Sequence, residues 1–118
     1  MQHLLLIYAN ESEYEKLSPG QTETLMSDYA EFTKSIVQSG HFKAADRLRP
    51  VATATSVRVR DGKAMITDGP FAETREQLGG FYLVDAKDLD EAIEIASRIP
   101  SSRYGTIEVR PIWRMEDY

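Results

Sequence analysis

The sequence predicts a single α+β domain. Short apolar runs of strand length recur along the chain, and two longer segments carry apolar residues at helical spacing. The 118 residues are close to the usual size of one domain, and 42% hydrophobic with 28% charged residues is an ordinary globular composition. Together these observations predict one core that is built from strands and two helices.

The central strands are predicted from runs that are apolar at every position. Residues 4–8 and 81–84 have this pattern, which is typical of strands buried on both faces of a sheet. The mixed segment 41–49 lies between the first helix and Pro50, and we expect a short strand within it. Two inner strands and one shorter strand are therefore expected in the same sheet.

The remaining strands are predicted from alternation. Residues 55–60 alternate apolar and charged side chains, and Asp61-Gly62 is typical of the two-residue turn of a hairpin. We expect the returning strand at residues 63–67. Residues 106–112 alternate in the same way and contain Pro111 near their end, which favours an edge strand.

The two helices are predicted from their caps and apolar stripes. Ser18 and Asp88 are the expected N-caps, each followed three residues later by a glutamine or glutamate that would complete a capping box. Gly40 and Pro100 mark the expected ends. The predicted core stripes are Leu25, Tyr29, Phe32, Ile36 and Val37 in the first helix and Leu89, Ala92, Ile93, Ala96 and Ile99 in the second.

The order strand, helix, strand, hairpin, strand, helix, strand predicts a ferredoxin-like fold with an inserted β-hairpin. Two helices cover only one face of a four-stranded sheet, whereas the strands at 4–8 and 81–84 are apolar on both faces. Because an exposed apolar sheet face is costly, we expect a homodimer that packs sheet against sheet.

Composition excludes several classes of function. A net charge of -5 disfavours nucleic acid, and the absence of cysteine excludes disulfides, thiolate nucleophiles and iron–sulfur clusters. The longest apolar run, 4–9, is too short to span a membrane and leads directly into acidic residues, so a cytoplasmic location is expected. His3 and His41 lack ligand-like spacing, so no metal site is expected. No motif indicates a cofactor, and none is expected. No Gly-x-Ser-x-Gly elbow of a serine hydrolase occurs.

The segment from Asp68 to Glu76 is the predicted site. It follows a strand directly and joins a tight Asp-Gly-Pro turn to an aromatic and several charged residues, and it is longer than a simple connection. Partial burial beside Phe71 would suit Asp68 to general acid or base chemistry, and a turn that serves folding alone is the alternative. The candidates are Asp68 for catalysis and Tyr8, Tyr29, Phe71, Glu73 and Arg75 for binding a small-molecule ligand.

Several motifs resemble the YCII-related family and, within it, the branch named for its DGPF motif. The resemblance spans nearly the whole chain. It implies a dimeric α–β barrel of ferredoxin-like subunits and a bacterial origin. The matching motifs lie at residues 5–8, 54–58, 67–74, 76–81, 89–92 and 108–111.

The resemblance also bears on function. Some relatives look like enzymes with a His–Asp pair, to whose aspartate Asp68 corresponds, but the helix that carries their histidine reads Asp-Tyr-Ala-Glu-Phe at residues 28–32 here. Arg75 stands where lysine is usual in this branch.

Two functions stay open at this stage. The first is a small-molecule-binding protein with acid–base catalysis by Asp68. The second is a non-catalytic regulatory or protein-interaction module linked to sigma-factor-dependent transcription, since related genes often accompany alternative sigma factors. An enzyme should hold Asp68 desolvated in a pocket, whereas an interaction module should leave it exposed.

Overall fold

A computed structural model describes residues 1–118 of the chain. A four-stranded antiparallel sheet carries the helices on one face, and a separate two-stranded hairpin extends from it. No helix of the chain combines the length and the apolar character that crossing a bilayer requires. The elements are β1 Gln2–Ala9, α1 Glu11–Glu15, α2 Pro19–Gln38, β2 Phe42–Arg47, β3 Thr55–Arg60, β4 Lys63–Asp68, β5 Gln77–Asp85, α3 Leu89–Arg98 and β6 Thr106–Pro111, with 3-10 turns at Val51–Thr53, Pro100–Arg103 and Met115–Asp117.

The strand order of the main sheet is β2-β5-β1-β6, with every neighbouring pair antiparallel. This is the ferredoxin-like arrangement, and the predicted fold class is confirmed. The two strands predicted to be internal, β1 and β5, are the central pair, and β6 is an edge strand as expected. The sequence pattern therefore identified the inner strands correctly.

The core lies between the sheet and the helices. Alternate residues of β1 and β5 point into it, so Leu5 and Val84 are fully buried, and Ile36 of α2 and Ile95 of α3 close it from the other side. His3, on the same face of β1, is 1% exposed and its Nδ1 has no hydrogen-bond partner.

Local chemistry explains where the helices begin and end. The predicted capping box of α2 is complete, because Ser18 Oγ accepts from Gln21 N at 3.1 Å and Gln21 Oε1 accepts from Ser18 N at 2.8 Å. Asp88 caps α3 by accepting from Glu91 N at 2.9 Å. The second half of that box does not form, since Glu91 Oε1 accepts from Lys87 N instead, at 3.0 Å.

The predicted helical stripes are partly wrong. Leu89 and Ile93 of α3 are half exposed, and Ile95, which was not predicted to be in the core, is fully buried. In α2, Val37 is also exposed, while Phe32 and Ile36 are buried as predicted. The short helix α1 was not predicted, and it forms because the side chain of Asn10 accepts from Ser12 N at 3.0 Å.

The β3–β4 hairpin forms a sheet of its own and gives the chain an open shape. Asp61 and Gly62 turn it with φ angles of 52° and 75°, as the Asp-Gly signal predicted. The Cα radius of gyration is 16.4 Å, with extents of 48 × 47 × 19 Å. A compact domain of this length has a radius of about 13 Å. The single chain is therefore flat and far from closed.

Candidate functional site

Asp68 ends strand β4 at the base of the hairpin. The turn after it is fixed by two hydrogen bonds, from Gly69 N to Ala54 O at 2.7 Å and from Ser56 Oγ to Gly69 O at 2.9 Å. Gly69 has a φ of 94°, a left-handed conformation that favours glycine. The Asp68 side chain is exposed and takes part in no ion pair within the chain.

The other predicted residues of the loop are also exposed. Phe71 is 79% exposed, and Glu73 and Arg75 project into solvent. The end of the loop is also held, because Thr74 Oγ1 donates to Glu76 O at 2.5 Å and Gln77 Nε2 donates to Thr74 O at 2.6 Å. Within the single chain, Phe71 does not shield Asp68 from water.

Tyr8 lies on the sheet face that no helix covers. Its hydroxyl donates to Glu108 Oε1 at 3.4 Å. The hairpin leaves the sheet at this same end, because Glu11, which follows β1 closely, accepts from Val51 N at 3.0 Å at the start of the connection into the hairpin. Tyr8 and the base of the hairpin thus share one end of the sheet.

Tyr29 lies on the opposite side of the sheet, in the helical layer. Its hydroxyl is 2.5 Å from Ser101 Oγ, and Tyr14 makes an equivalent contact with the same atom. Burial raises the pKa of Tyr29 to about 12, so its phenol stays protonated at neutral pH. The structure therefore does not bring Tyr29 together with Tyr8 or Asp68.

The hairpin has one apolar and one basic face. Val57 pairs with Ile66 and Val59 with Ala64, so these four side chains share a face. The opposite face carries Arg58, Arg60, Lys63 and Met65.

The apolar face is uncovered, with Val57 62%, Val59 60% and Ile66 68% exposed. Asp68 pairs with Thr55 in the same register, which places Asp68 on the apolar face, at its base. Whatever covers this face also approaches the Asp68 carboxylate.

The open face of the main sheet is apolar along its centre. Leu4 pairs with Leu83 and Leu6 with Phe81, and all four point away from the helices. The edge strand β6 borders this stripe with charged side chains on the same face, including Glu108. An apolar centre with a charged border is the usual pattern of a protein interface.

A hydrogen-bonded series of Ser39, His41 and Glu91 was not predicted from the sequence. Ser39 Oγ lies 2.6 Å from His41 Nδ1, and His41 Nε2 lies 3.0 Å from Glu91 Oε1. The only local signal was Ser-Gly-His after α2, and the role of Glu91 depends on how α3 packs.

Comparison with known proteins agrees with the fold. The family model described as the YCII-related domain matches residues 1–116. The chain belongs to the YCII-related family. An uncharacterised protein of Rhizobium meliloti (strain 1021) is 37% identical over 114 residues, which cover 95% of this chain and 92% of the relative.

One solved structure is similar along its whole length. It is 5-chloro-2-hydroxyhydroquinone dehydrochlorinase from Burkholderia phenoliruptrix, in complex with 2,5-dihydroxybenzoquinone. The match covers 98% of this chain and 97% of that one, with 12% sequence identity and a TM-score of 0.50. At this identity the likeness supports the fold of this YCII-related chain and carries no residue roles.

Proposed function

We propose that the protein binds a small molecule in a cleft that a second copy of the chain completes, with Asp68 as the acid–base group. One observation carries the proposal. Asp68 shares a hairpin face with Val57 and Ile66, and nothing within the chain covers that face.

The exposure of Asp68 in the single chain is what an interaction module would show. The apolar surroundings change that conclusion, because exposed strands with such a face are unstable in water unless a partner covers them. Covering the face removes water from Asp68 as well. A desolvated carboxyl group with a nearby ligand is suited to proton transfer.

A second copy is the partner that the surfaces favour. Each chain offers an apolar hairpin face and an apolar open sheet face, so two copies related by a twofold axis can cover both at once. Pairing would also convert a flat chain only 19 Å across its thinnest dimension into a closed two-sided body.

Within this proposal the remaining candidates have different roles. Tyr8 presents a hydroxyl at the hairpin end of the open face, 3.4 Å from Glu108 Oε1. Phe71, Glu73 and Arg75 are free to contact a ligand, because their side chains are exposed and the hydrogen bonds of the loop lie at its two ends. Tyr29 is left out, since it lies across the sheet and bonds to Ser101.

The first test concerns assembly. We expect the wild-type chain to sediment as a dimer at micromolar concentration, and Ile66→Glu to sediment as a monomer because it places a charge in the covered face. Met65→Glu is the matched control, since its side chain points to the opposite face of the same strand, and it should stay dimeric. A monomeric wild-type protein would contradict the proposal.

The second test concerns the ligand. A thermal-shift screen of small metabolites should include 2,5-dihydroxybenzoquinone, since a protein of the same fold was solved with it. Binding at 100 times Kd stabilises a protein by about 2.7 kcal/mol, which is a readily measured shift. Asp68→Asn should reduce the shift and Asp61→Asn, at the hairpin tip, should not. An unchanged shift in Asp68→Asn would remove Asp68 from the site.

The exposed loop supports a second candidate, a regulatory module. Asp68, Glu73 and Arg75 are all accessible to another protein in the single chain. This function predicts that the protein is a monomer and that small metabolites cause no thermal shift. It also predicts that the protein co-sediments with an alternative sigma factor from the same genome. If the wild-type protein is a monomer and the Asp68→Asn variant no longer forms that complex, this candidate is favoured over the first.

A further inference from the structure

Ser39, His41 and Glu91 connect the end of α2, the start of β2 and the first turn of α3. The two contacts form a series, 2.6 Å from Ser39 Oγ to His41 Nδ1 and 3.0 Å from His41 Nε2 to Glu91 Oε1. Ser39 is exposed, while the side chains of His41 and Glu91 are 24% and 28% exposed. The group lies in the helical layer, independent of Asp68.

The hydrogen-bond partners fix the proton positions in the neutral ring. A carboxylate only accepts hydrogen bonds, so His41 Nε2 must carry the hydrogen and donate it to Glu91 Oε1. His41 Nδ1 is then an acceptor, and the donor that faces it is the Ser39 hydroxyl. Glu91 is in turn anchored by Lys87 N at 3.0 Å, and this hydrogen bond, followed by the contact with His41, holds the pKa of Glu91 below its ordinary value.

This arrangement has the parts of an activated nucleophile. A serine hydroxyl faces a base, and a carboxylate orients the base, which is the logic of nucleophile activation by a neighbouring histidine. Ser39 Oγ also lies 3.2 Å from Ile36 O, which competes for the single hydroxyl hydrogen. The contact to His41 Nδ1 is shorter, at 2.6 Å, and favours donation to the histidine.

One part of a hydrolase is missing. The backbone N–H groups of Ser39, Gly40 and His41 donate to Ser35 O, Val37 O and Ile36 O at 3.0 to 3.1 Å, so none is free to stabilise an oxyanion. Removal of one oxyanion donor costs about 100-fold to 1,000-fold in rate. The site is therefore suited to a single acyl transfer from a reactive donor rather than to rapid turnover.

We propose that Ser39 is an acyl-acceptor site that activated carboxylic esters and thioesters modify. Ser39 Oγ forms a bond to the acyl carbon while its proton passes to His41 Nδ1. The bond from that carbon to the leaving oxygen or sulfur breaks, and the leaving group departs with the electron pair and takes up the proton from His41. The product is an ester of Ser39, with no change of oxidation state.

The test uses 4-nitrophenyl acetate on the full chain. We expect release of one 4-nitrophenol for each chain, measured as its coloured anion, and an acetyl group on Ser39, located by peptide mass spectrometry. His41→Gln should slow the acetylation of Ser39 by at least about 100-fold, since general base catalysis contributes about 100-fold to 10,000-fold. Ser97→Ala is the control and should react like the wild type, because Ser97 is exposed but faces Glu94 O rather than a histidine.

Glu91 is a positioning residue in this proposal, and its test needs a readout beyond rate. Glu91→Gln should shift the ¹⁵N resonances of His41 away from those of a single Nε2–H tautomer and slow acetylation, while circular dichroism stays unchanged. Acetyl groups found only on lysines or the N-terminus would overturn the proposal. So would acetylation of Ser39 at an equal rate in wild type and His41→Gln.

Discussion

At the scale of single residues, the core is decided by which side of α3 faces the sheet. Ile95 is fully buried and Ile93 is half exposed, although they lie two positions apart. We expect Ile95→Ala to lower the free energy of unfolding by about 2 to 5 kcal/mol, the cost of a cavity in a packed core. Ile93→Ala should cost less than about 1 kcal/mol. Urea unfolding measures both, and equal losses would contradict the assigned orientation.

The same helix shows what sequence could not decide. Apolar residues at 89, 92, 93, 96 and 99 form one plausible stripe, and residues 92, 95, 96 and 99 form another. The two stripes differ by a rotation of the helix, which the sheet sets through tertiary packing. The sequence therefore located the helix but not its rotation.

Glu91 supports a prediction about pH. Its pKa is lowered from 4.5, first by the hydrogen bond from Lys87 N and also by His41. A depressed folded-state pKa contributes stability that is present above the unfolded value and is lost as the pH falls through the folded value. The free energy of unfolding should thus decline below pH 4.5, and that of the Glu91→Gln variant should decline less steeply. Denaturation at a series of pH values tests this, with Glu94→Gln as the control on the same helix.

At the scale of elements, two adjacent glycines of β5 have different roles. A Cβ at Gly80 would lie 2.8 Å from Asp46 O, whereas at Gly79 the nearest atom, Ile7 O, is 3.9 Å away. Gly80→Ala must therefore push β2 from β5 and should cost about 1 to 3 kcal/mol, while Gly79→Ala should be nearly neutral. Chemical denaturation of the two variants measures the difference. Similar stabilities would show that β2 can shift without cost.

Element boundaries followed from sequence where their chemistry is local. The box at Ser18 and the turn at Asp61-Gly62 involve residues within three positions of each other, and both were predicted correctly. The contacts of the Glu91 carboxylate were not predicted correctly, because its partners include His41, which is 50 residues away. Long-range packing decides such contacts, and no local pattern records it.

At the scale of the whole molecule, the candidate site shows a similar limit. Tyr8 and Tyr29 were both predicted to bind the small-molecule ligand, yet the alternation of β1 turns Tyr8 to the open face while α2 holds Tyr29 in the helical layer. Asp68 was predicted at a strand end, and it lies at the end of β4. The sequence predicted well where each residue lies along its strand or helix. Which residues share a face of the sheet became clear only once the strand order was known.

The open shape of the chain leads to a last prediction, about cooperativity. If a second copy covers the apolar faces, folding and association are linked, and the Tm should rise with protein concentration. In Ile66→Glu the Tm should be lower and independent of concentration. The amides of β3 and β4 should exchange slowly in the wild type and rapidly in this variant, because a two-stranded hairpin without a covered face is marginally stable. A wild-type Tm that stays constant over a hundredfold range of concentration would show that the hairpin stands alone.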